Sequence, residues 1–437
     1  MKKTLDIFNY INLFNLQKII VLCILLKQSV EVFSQEITRC GNDLRMPQYL
    51  IQNTDKIQAI DISAQTYHKN SGTIRYIPVA VHVIHNGGSE NITDNQIFSQ
   101  IEILNQDFRK ISGTLGDGKG VDTQIEFFLA QKDPNGQCTN GITRHQSLLT
   151  NHDILDEVQL KSICHWPARS YLNIYVVKTI LGGLTLGYST QPGQQDSSLS
   201  GVVIQHTNFG KVGTVTPPFH LGRTVTHEVG HWLGLLHIFQ DGCAGTSPAN
   251  CSSFGDKICD TPPTKNPNGN TGCPTGINTC VEFPQDKPDM VENYLDYTDD
   301  ACMNLFTQGQ SSRMNAVLDI EYTTLCTEQN LKATGFGGCI SAISSLNTTE
   351  ITINIMPNPA TNRVQIFCNH HQGTSLLSLT IKNIYGQIIE NMDVSEITNF
   401  VWEPAIWEKL PSGIYFVTLT TRNGISYTQK VLKLSEN

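Results

Sequence analysis

The chain of 437 residues has few charged side chains, a small number of basic ones and no long apolar run. Charged residues make up 16 % of it, and 30 Lys and Arg stand against 39 Asp and Glu. This balance offers no basic surface to the phosphates of a nucleic acid, so nucleic-acid binding is excluded. No run of about 18 apolar residues is present, and we therefore expect no transmembrane segment.

Glycine, proline and cysteine are plentiful by contrast. The 34 Gly and 18 Pro are typical of a globular protein rich in turns, and at about 150 residues per domain the chain should hold about three structural units. Thirteen cysteines are more than a reducing cytosol favours. The cysteine count therefore predicts an oxidising compartment and a framework of disulfides.

The N-terminus has the pattern of an export signal. Lys2 and Lys3 precede the apolar run 19–26, which is too short to span a bilayer, and small or medium residues follow up to Ser34. This order predicts a signal peptide over residues 1–34, whose removal would also remove Cys23. A buried N-terminal helix is the alternative.

Hydrophobic patterning predicts a folded domain that begins at Tyr76, after a pro-segment over residues 35–75. The β-branched run 77–85 is typical of a buried strand, and apolar residues at helical spacing predict a helix over 93–110. Further strands are expected over 125–130, 171–177 and 201–204. Strands and helices in this order indicate the α+β class.

Residues 223–237, RTVTHEVGHWLGLLH, contain three histidines at the spacing of a zinc site. His227 and His231 are one helical turn apart, so both imidazoles can reach one ion at about 2.0 to 2.1 Å. Gly234 can adopt positive φ, which allows the helix to end and His237 to return to the same ion. Glu228 lies beside these ligands, where it can take a proton from a water molecule rather than bind the metal.

Three protein ligands leave the fourth position of a zinc ion open, as a catalytic site requires. A structural zinc site would be expected to have a fourth Cys or His and would not need Glu228. Histidines buried in the core along an apolar helix are a second alternative. The motif therefore predicts a hydrolase that uses zinc to activate water.

The motif HEVGHWLGLLH resembles that of the metzincin metallopeptidases, and among them it is most similar to the pappalysin family. The similarity covers about residues 76–330 and includes GDKICDTP at 255–262, GCP at 272–274, NYLDY at 293–297 and CMNLF at 302–306. It implies a metzincin-like domain over 76–340, with a twisted mixed sheet and an active-site helix. It also implies an endopeptidase that cleaves proteins or peptides.

Metzincins have a methionine under the zinc ion, two residues before a tyrosine. Here that position is Leu295, before Tyr297, and Met303 lies six residues beyond the tyrosine. Leu and Met have similar volumes, so we expect the hydrophobic base of the site to persist. The resemblance implies that Tyr297 stabilises the oxyanion of the tetrahedral intermediate; a half-buried core tyrosine is the alternative.

The resemblance also bears on substrate choice and on calcium. Asp300 matches an acidic residue that lines the pocket for the residue after the scissile bond, which predicts cleavage before Arg or Lys; a surface carboxylate is the alternative. Asp256, Asp260 and Thr261 offer hard oxygen atoms, and the family points to a structural calcium ion there; solvated turn residues are the alternative. The strand 201–205 is expected either to align a peptide or to be an ordinary edge strand.

Arg39-Cys40-Gly41 resembles the cysteine switch of metzincin zymogens, in which a pro-segment thiolate takes the open zinc position. A disulfide at Cys40 is the alternative. Release of the pro-segment would need a cut between residues 71 and 76. Arg75 in that stretch would suit self-processing by an enzyme that prefers basic residues.

Ten cysteines remain in the catalytic region when Cys23, Cys40 and Cys368 are set aside, which allows five disulfides. The resemblance implies two of them, Cys243 with Cys280 and Cys273 with Cys302. For the other six cysteines, pairing each with its neighbour in the sequence predicts Cys138 with Cys164, Cys251 with Cys259 and Cys326 with Cys339. Sequence alone does not fix this connectivity.

Residues 350–437 follow a Ser/Thr-rich linker over 341–349, and their short strand patterns separated by turns predict a small β-sandwich. The segments MPNPA at 356–360, LPSGIYF at 410–416 and KVLKL at 430–434 are similar to the C-terminal sorting domain of the Bacteroidetes type IX secretion system. This similarity implies contact with the secretion machinery and removal of the domain. A carbohydrate- or surface-binding module is the alternative.

The sequence as a whole predicts a zinc-dependent endopeptidase that is made as a zymogen and secreted, or held on the outer cell surface, by a Gram-negative bacterium. The main competing function is a cell-surface binding protein with a vestigial metal site. Intact Glu228 beside three intact histidines argues against that competitor. A metal-dependent esterase would use the same ligands, but the pro-segment and the family resemblance favour peptide bonds.

Overall fold

The computed structural model describes residues 38–67, 73–193, 199–247, 249–269, 272–282 and 284–336, and much of 352–434. Its C-terminal part comprises 352–356, 358, 360–361, 363–369, 376–383, 387–394, 400–422 and 426–434. The predicted signal peptide, the linker 341–349 and Cys339 lie outside the described residues.

The β-strands of the described residues are numbered in chain order. They are β1 Thr38–Cys40, β2 Arg75–His85, β3 Ile125–Leu129, β4 Ile142–Gln146, β5 Asn151–His152, β6 Leu172–Val177, β7 Thr179–Ile180, β8 Thr185–Ser189, β9 Val202–Gln205, β10 Thr352–Met356, β11 Gln365–Asn369, β12 Leu376–Asn383, β13 Ile388–Asp393, β14 Phe400–Trp402, β15 Gly413–Thr421 and β16 Ser426–Lys433. The α-helices are α1 Met46–Gln52, α2 Thr54–Thr66, α3 Asp94–Phe108, α4 Glu157–Ser162, α5 Arg223–Trp232, α6 Gln308–Ile320 and α7 Glu328–Ala333.

One mixed sheet of nine strands supports the N-terminal part of the described chain. Its order is β3-β2-β6-β9-β8-β7-β5, with β4 also paired to β2 and β1 paired to β8. Strands β3, β2, β6 and β9 are parallel, whereas β8 runs antiparallel to β9. Strand β9 is paired on both sides, so the prediction that residues 201–205 form an edge or align a peptide is wrong.

The side chains on the two faces of β2 belong to different clusters of buried residues. Its residues Val79, Val81 and Val83 lie in the main core with the apolar stripe of α3 and with Val225 and Val229 of α5. Its residues Ala80 and Ile84 belong to separate clusters. Because side chains alternate along a strand, α3 and α5 cover one face of the sheet and the even-numbered residues of β2 point to the other.

Helix α3 begins and packs as its sequence predicts. The Thr93 hydroxyl accepts a hydrogen bond from the Gln96 amide at 3.3 Å and caps the first turn. Its apolar stripe is fully buried: Ile97, Ile101, Leu104 and Phe108.

The segment predicted to be a pro-segment is more regular than its sequence suggested. Residues that showed little periodicity form β1, α1 and α2, and α2 packs against α6. Met46, Tyr49 and Ile57 form a buried cluster with Leu236, which follows α5. The order of this segment therefore comes from the catalytic domain on which it lies.

Three disulfides connect the described residues. The two implied by the family resemblance are present, Cys243–Cys280 and Cys273–Cys302, and so is the guessed pair Cys251–Cys259. The remaining guesses are wrong, because Cys164 and Cys326 are free thiols, whereas Cys138 is disulfide-bonded. Spacing along the sequence alone does not determine which of these cysteines are bonded.

The described C-terminal residues form an all-β domain, as predicted. Its two antiparallel sheets have the orders β10-β11-β14 and β13-β12-β15-β16. Alternate residues of β15, Tyr415, Val417 and Leu419, share one core with Ile355 and Ile366 of the other sheet. Two stacked sheets around one core are the arrangement of a β-sandwich.

Candidate active site and metal centre

Three imidazole rings meet where α5 ends. The Nε2 atoms of His227 and His231 lie 3.0 Å apart, and His237 Nε2 lies 2.9 Å from His231 Nε2 and 3.2 Å from His227 Nε2. Tetrahedral nitrogen ligands of a zinc ion lie about 3.3 Å from one another, so this spacing suits zinc. Gly234 has a φ of 83°, which ends the helical conformation and returns His237 to the other two rings.

The outer nitrogen atoms of two of these rings are fixed by backbone carbonyls. His227 Nδ1 lies 2.7 Å from the oxygen of Tyr294, and His231 Nδ1 lies 2.8 Å from the oxygen of Leu235. Because a carbonyl only accepts hydrogen bonds, each Nδ1 carries the proton and each Nε2 directs its lone pair to the centre. Burial and the neighbouring His237 ring lower the pKa of His231 to about 3. This neutral, preorganised donor set fits a metal ion.

Cys40, in the predicted pro-segment, completes the cluster. Its sulfur and the ligand nitrogens of the three histidines all lie within 4.8 Å of one another, and all four residues are buried. Strand β1 runs parallel to β8 and places Cys40 opposite Gly187. Cys40 is a free thiol, so the alternative of a disulfide at this position is wrong.

Glu228 is buried beside the three rings. Its Oε2 accepts a hydrogen bond at 3.1 Å from the side-chain amide of Asn42, which also donates to Ser189 Oγ at 2.9 Å. Burial raises the pKa of Glu228 to about 8. A Cβ atom at Gly187 would lie 3.1 Å from Glu228 Cγ, so the glycine leaves room for this side chain. A carboxyl group with a pKa near neutrality is suited to accept a proton and release it again.

Tyr297 is half-buried and its hydroxyl is directed toward the predicted pro-segment. The hydroxyl donates to Asp43 Oδ2 at 2.6 Å, and the ring centroid lies 5.0 Å from that of His237. Asp43 Oδ1 in turn lies 3.0 Å from His237 Nδ1. Asp43 therefore bridges the tyrosine and one of the histidines.

Leu295 lies under α5, at the position where metzincins have methionine. The residue is fully buried, and a Cβ atom at Gly230 would lie 3.2 Å from Leu295 Cδ2. Gly230 directly precedes His231, so this contact supports the part of the helix that carries the ligands. Met303 is buried in the same main core.

Asp300 is buried at the N-terminus of α5, so the alternative of a surface carboxylate is wrong. Its Oδ2 accepts hydrogen bonds from the backbone amides of Leu221 at 2.8 Å and Arg223 at 3.2 Å. Its Oδ1 forms a buried salt bridge of 2.7 Å with Arg39 Nη2. The Arg39 guanidinium also lies over the ring of Phe219, 4.8 Å from its centroid. The Asp300 carboxylate thus holds a basic side chain in an aromatic-walled recess.

The loop that was predicted to bind calcium is held together by protein contacts. Asp256 accepts hydrogen bonds from the Ile258 amide at 3.0 Å and from the Thr261 hydroxyl at 2.6 Å, and burial raises its pKa to about 7. Asp260 instead accepts from the Gly309 amide at 2.8 Å. Within the described part of the chain, no potential metal-binding cluster includes these residues. Calcium binding here stays a prediction.

Sequence reasoning missed two residues of the site, Asn42 and Asp43. Both follow directly after the Arg39-Cys40-Gly41 motif, and each contacts a side chain that the sequence predicts to be catalytic. Their proximity to Cys40 was the only signal available. Because the contacts join residues more than 180 positions apart, the partners could not be read from the chain.

The mixed sheet, the helix with its paired histidines and the returning third histidine define a metallopeptidase with a metzincin fold. A family model described as pregnancy-associated plasma protein-A matches residues 156–319, and one for the secretion system C-terminal sorting domain matches 354–434. The Extracellular metalloprotease 1 of Coccidioides posadasii is 31 % identical over 242 residues, which cover 54 % of this chain and 74 % of the relative. An extracellular metalloprotease of Verticillium alfalfae is 38 % identical over 205 residues, 45 % of this chain and 68 % of the relative.

Solved structures of mirolysin from Tannerella forsythia are similar as well. A promirolysin mutant has 34 % identity and a TM-score of 0.57, and the alignment covers 68 % of this chain and 100 % of that one. Mature mirolysin in complex with a cleaved peptide has 38 % identity and a TM-score of 0.53, with 61 % of this chain and 99 % of that chain covered.

The chain belongs to the pappalysin family of metallopeptidases. It is a metalloendopeptidase whose substrates are peptides, and its relatives are extracellular enzymes. The sorting domain marks it for secretion by the route of Bacteroidetes-type bacteria. Among the described residues, no helix is both long and apolar enough to cross a membrane.

Proposed function

We propose that the protein is a zinc-dependent endopeptidase made as a latent zymogen, with Glu228 as general base and a preference for Arg or Lys after the cut. The observation that carries this proposal is the cluster of three imidazole nitrogens, two of whose rings have tautomers fixed by backbone carbonyls, beside a buried carboxyl group of raised pKa. His227, His231 and His237 would hold the zinc ion. When bound, the ion supplies Lewis-acid polarisation of the scissile carbonyl and lowers the pKa of water.

The protein side chains then have separate tasks in hydrolysis. Glu228 accepts a proton from the attacking water as the new carbon–oxygen bond forms, and it delivers that proton to the leaving amine as the carbon–nitrogen bond breaks. Tyr297 would donate a hydrogen bond to the oxyanion that develops on the former carbonyl oxygen. Its hydroxyl becomes available for this task only after Asp43 has left.

The pro-segment has the contacts expected of an inhibitor that covers every catalytic group. The pairs are Arg39 with Asp300, Cys40 with the three histidines, Asn42 with Glu228 and Asp43 with Tyr297. A thiolate on the fourth position of the zinc ion would exclude the attacking water. These contacts support latency of the zymogen.

The Arg39 contact supports the expected substrate preference. A carboxylate with 1 % of its surface exposed gains more from a charge-assisted hydrogen bond than an exposed one, and Arg39 fills the recess that a basic substrate residue would need. A substrate Arg or Lys would take its place after the pro-segment leaves. Cleavage before Arg or Lys follows from this exchange.

Self-cleavage of the chain directly before Arg75 would agree with the same preference for Arg or Lys after the cut. Arg75 is the first residue of β2, and its side chain pairs with Asp319 at 2.7 Å. The guanidinium would have to leave Asp319 to enter the Asp300 recess and could return to it after the cut. The new N-terminus would then be held by the salt bridge that Arg75 makes in the zymogen.

The mature enzyme and its Glu228→Gln variant test the catalytic proposal against a peptide library. We expect cleavage by the natural protein to be lost with a chelator and restored by zinc. The variant should cleave about 10² to 10⁴-fold more slowly with unchanged metal content, because only the proton acceptor is lost. Glu292→Gln, which changes an exposed glutamate nearby, is the matched control.

Two outcomes would contradict this proposal. Cleavage retained by Glu228→Gln would exclude Glu228 as the base. Peptide binding by the natural protein without any cleavage in the presence of zinc would instead favour the cell-surface binding protein with a vestigial metal site.

Latency is tested with the uncleaved full chain. We expect Cys40→Ala to cleave peptides without prior processing, because water regains access to the metal site. Cys326→Ala, which removes another free thiol, should stay latent. If Cys40→Ala and Asp43→Ala are both as inactive as the natural zymogen, the pro-segment contacts do not cause latency.

A further inference from the structure

A second cluster of metal-ligating side chains lies outside the active site. The ligand atoms of His82, His145 and Cys164 all lie within 4.8 Å of one another. His82 is an even-numbered residue of β2 and is completely buried, whereas His145 and Cys164 are half-buried. The cluster therefore lies on the face of the sheet opposite α5 and opens partly to the surface.

Strand pairing brings the first two ligands together. Strands β2 and β4 are parallel neighbours, with His82 opposite Thr143 and Ile84 opposite His145. The Thr143 hydroxyl lies 2.7 Å from His82 Nδ1 and 3.0 Å from His145 Nε2. These two nitrogens consequently face the same point, which the threonine hydroxyl borders.

The hydrogen bonds around His82 fix its tautomer. Asn173 Oδ1 accepts from the Trp166 amide at 2.9 Å, while Asn173 Nδ2 donates to the Trp166 carbonyl at 2.9 Å, so the orientation of this side-chain amide is determined. The 2.8 Å contact between Asn173 Oδ1 and His82 Nε2 then requires a proton on Nε2. His82 Nδ1 is left with a lone pair that points into the cluster, where it accepts a hydrogen bond from the Thr143 hydroxyl at 2.7 Å. An amide oxygen behind the ring is the outer partner that metal-binding histidines commonly have.

Cys164 supplies the third ligand, and no disulfide accounts for it. Its thiol is free in a chain whose other described cysteines include six in three disulfides. The residue follows α4, which is a separate element from β2 and β4. Burial raises the pKa of the thiol to about 12, so without a cation it stays protonated. The ionisable groups that act on the two rings are themselves histidines: His145 and His165 act on His82, and His85 acts on His145.

We propose that His82 Nδ1, His145 Nε2 and the Cys164 sulfur bind a second divalent cation of the class that prefers imidazole and thiolate, such as zinc or copper. When the metal–sulfur bond forms, the thiol proton leaves to solvent and the cation takes its place. The Thr143 hydroxyl or a water would occupy a remaining position. Such an ion would join β2, β4 and the segment after α4, and it would have no part in peptide hydrolysis.

Metal stoichiometry of the full chain tests this site. The Cys40→Ser variant is the parent protein, because it has no active-site thiolate to confuse the spectra. After removal of metal with a chelator, we expect it to bind two equivalents of zinc. With cobalt as the probe it should show a sulfur-to-metal charge-transfer band, and a parallel titration with copper shows which of the two cations binds more tightly.

Two further changes made in this parent assign the second equivalent. Cys164→Ser and His145→Ala should each bind one equivalent fewer than the parent, and Cys164→Ser should also lose the charge-transfer band. Cys326→Ser is the matched control, since Cys326 is likewise a half-buried free thiol whose pKa burial raises to about 12. It should keep both equivalents and the band.

Alkylation of the parent tests the site without a substitution at any proposed ligand, so the result does not depend on whether such a variant folds. Zinc should protect Cys164 from alkylation but leave Cys326 unprotected, which peptide mapping by mass spectrometry distinguishes. The proposal is overturned if Cys164→Ser and His145→Ala bind as many equivalents of zinc as the parent, or if Cys164 is alkylated equally with and without zinc. None of these measurements depends on peptidase activity.

Discussion

Arg39 and Asp300 are 261 positions apart in the chain and form a salt bridge with almost no exposed surface. A buried ion pair contributes little net stability, but loss of one partner leaves an uncompensated charge. This single contact therefore links two parts of the proposed function. In the proposed zymogen it would hold the predicted pro-segment in place before activation, and the same carboxylate would select basic substrates afterwards.

We expect Asp300→Asn to reduce the preference of the mature enzyme for Arg or Lys after the cut. A charge-assisted hydrogen bond is worth about 1.5 to 3 kcal/mol, so the ratio of kcat/KM for basic over apolar peptides should fall about 10- to 100-fold. Asp299→Asn is the matched control, because it removes the neighbouring carboxylate without touching the recess. An unchanged ratio in Asp300→Asn would show that the recess does not bind the substrate.

Disulfides, rather than helices or strands, cross-link the described stretch between α5 and α6. In the described part of this stretch, residues 233–307 form no α-helix or extended strand, yet they carry Asp300, Tyr297 and Leu295 to the active site. The pairs Cys243–Cys280, Cys251–Cys259 and Cys273–Cys302 cross-link this stretch internally. Covalent links restrict the unfolded chain in a region that has few backbone ladders to order it.

Two of these disulfides close loops of very different lengths, and they should therefore differ in how much they stabilise the folded protein. Cys243 and Cys280 are 37 residues apart, whereas Cys251 and Cys259 are 8 apart. Loop-closure entropy predicts losses of about 4 and about 2.5 kcal/mol in the free energy of unfolding when each pair is changed to serine. Denaturant titration of both double variants measures the ranking. Equal losses, or a larger loss for the short loop, would contradict the entropic account.

At the scale of the whole molecule, the peptidase and the sorting domain have separate cores. Buried residues of the main core lie between Ile60 and Leu325, and those of the C-terminal core lie between Ile355 and Val431. Neither core shares a side chain with the other. Each part should therefore fold around its own apolar residues.

A chain that ends after residue 349 should keep its peptidase activity and lose its export. We expect kcat/KM of the processed enzyme to stay within about 2-fold of the full-length product, because the catalytic core is complete without the C-terminal sheets. Activity assays and fractionation of a type IX-secreting host measure the two properties separately. Export of the shortened chain to the medium would contradict the role of the sorting domain.

Much of the fold could be predicted because its signals are local. The run 77–85 lies within β2, and the stripe of α3 and the cap at Thr93 appear where their spacing placed them. The pro-segment helices were not predicted, since they pack on the catalytic domain and show little periodicity of their own. Strand β9 was assigned the wrong place in the sheet because neighbours in a sheet are not neighbours in sequence.

The sequence by itself was enough to predict the proposed zinc ligands His227, His231 and His237 and the adjacent Glu228, because helix geometry and one glycine fix their relative positions within fifteen residues. Only the tertiary structure decided which groups the predicted pro-segment covers, that Asp300 is buried against Arg39, and that Cys164 is unpaired beside two histidines. Those contacts join segments far apart in the chain. Their partners depend on how the sheet orders its strands, which no local pattern of residues specifies.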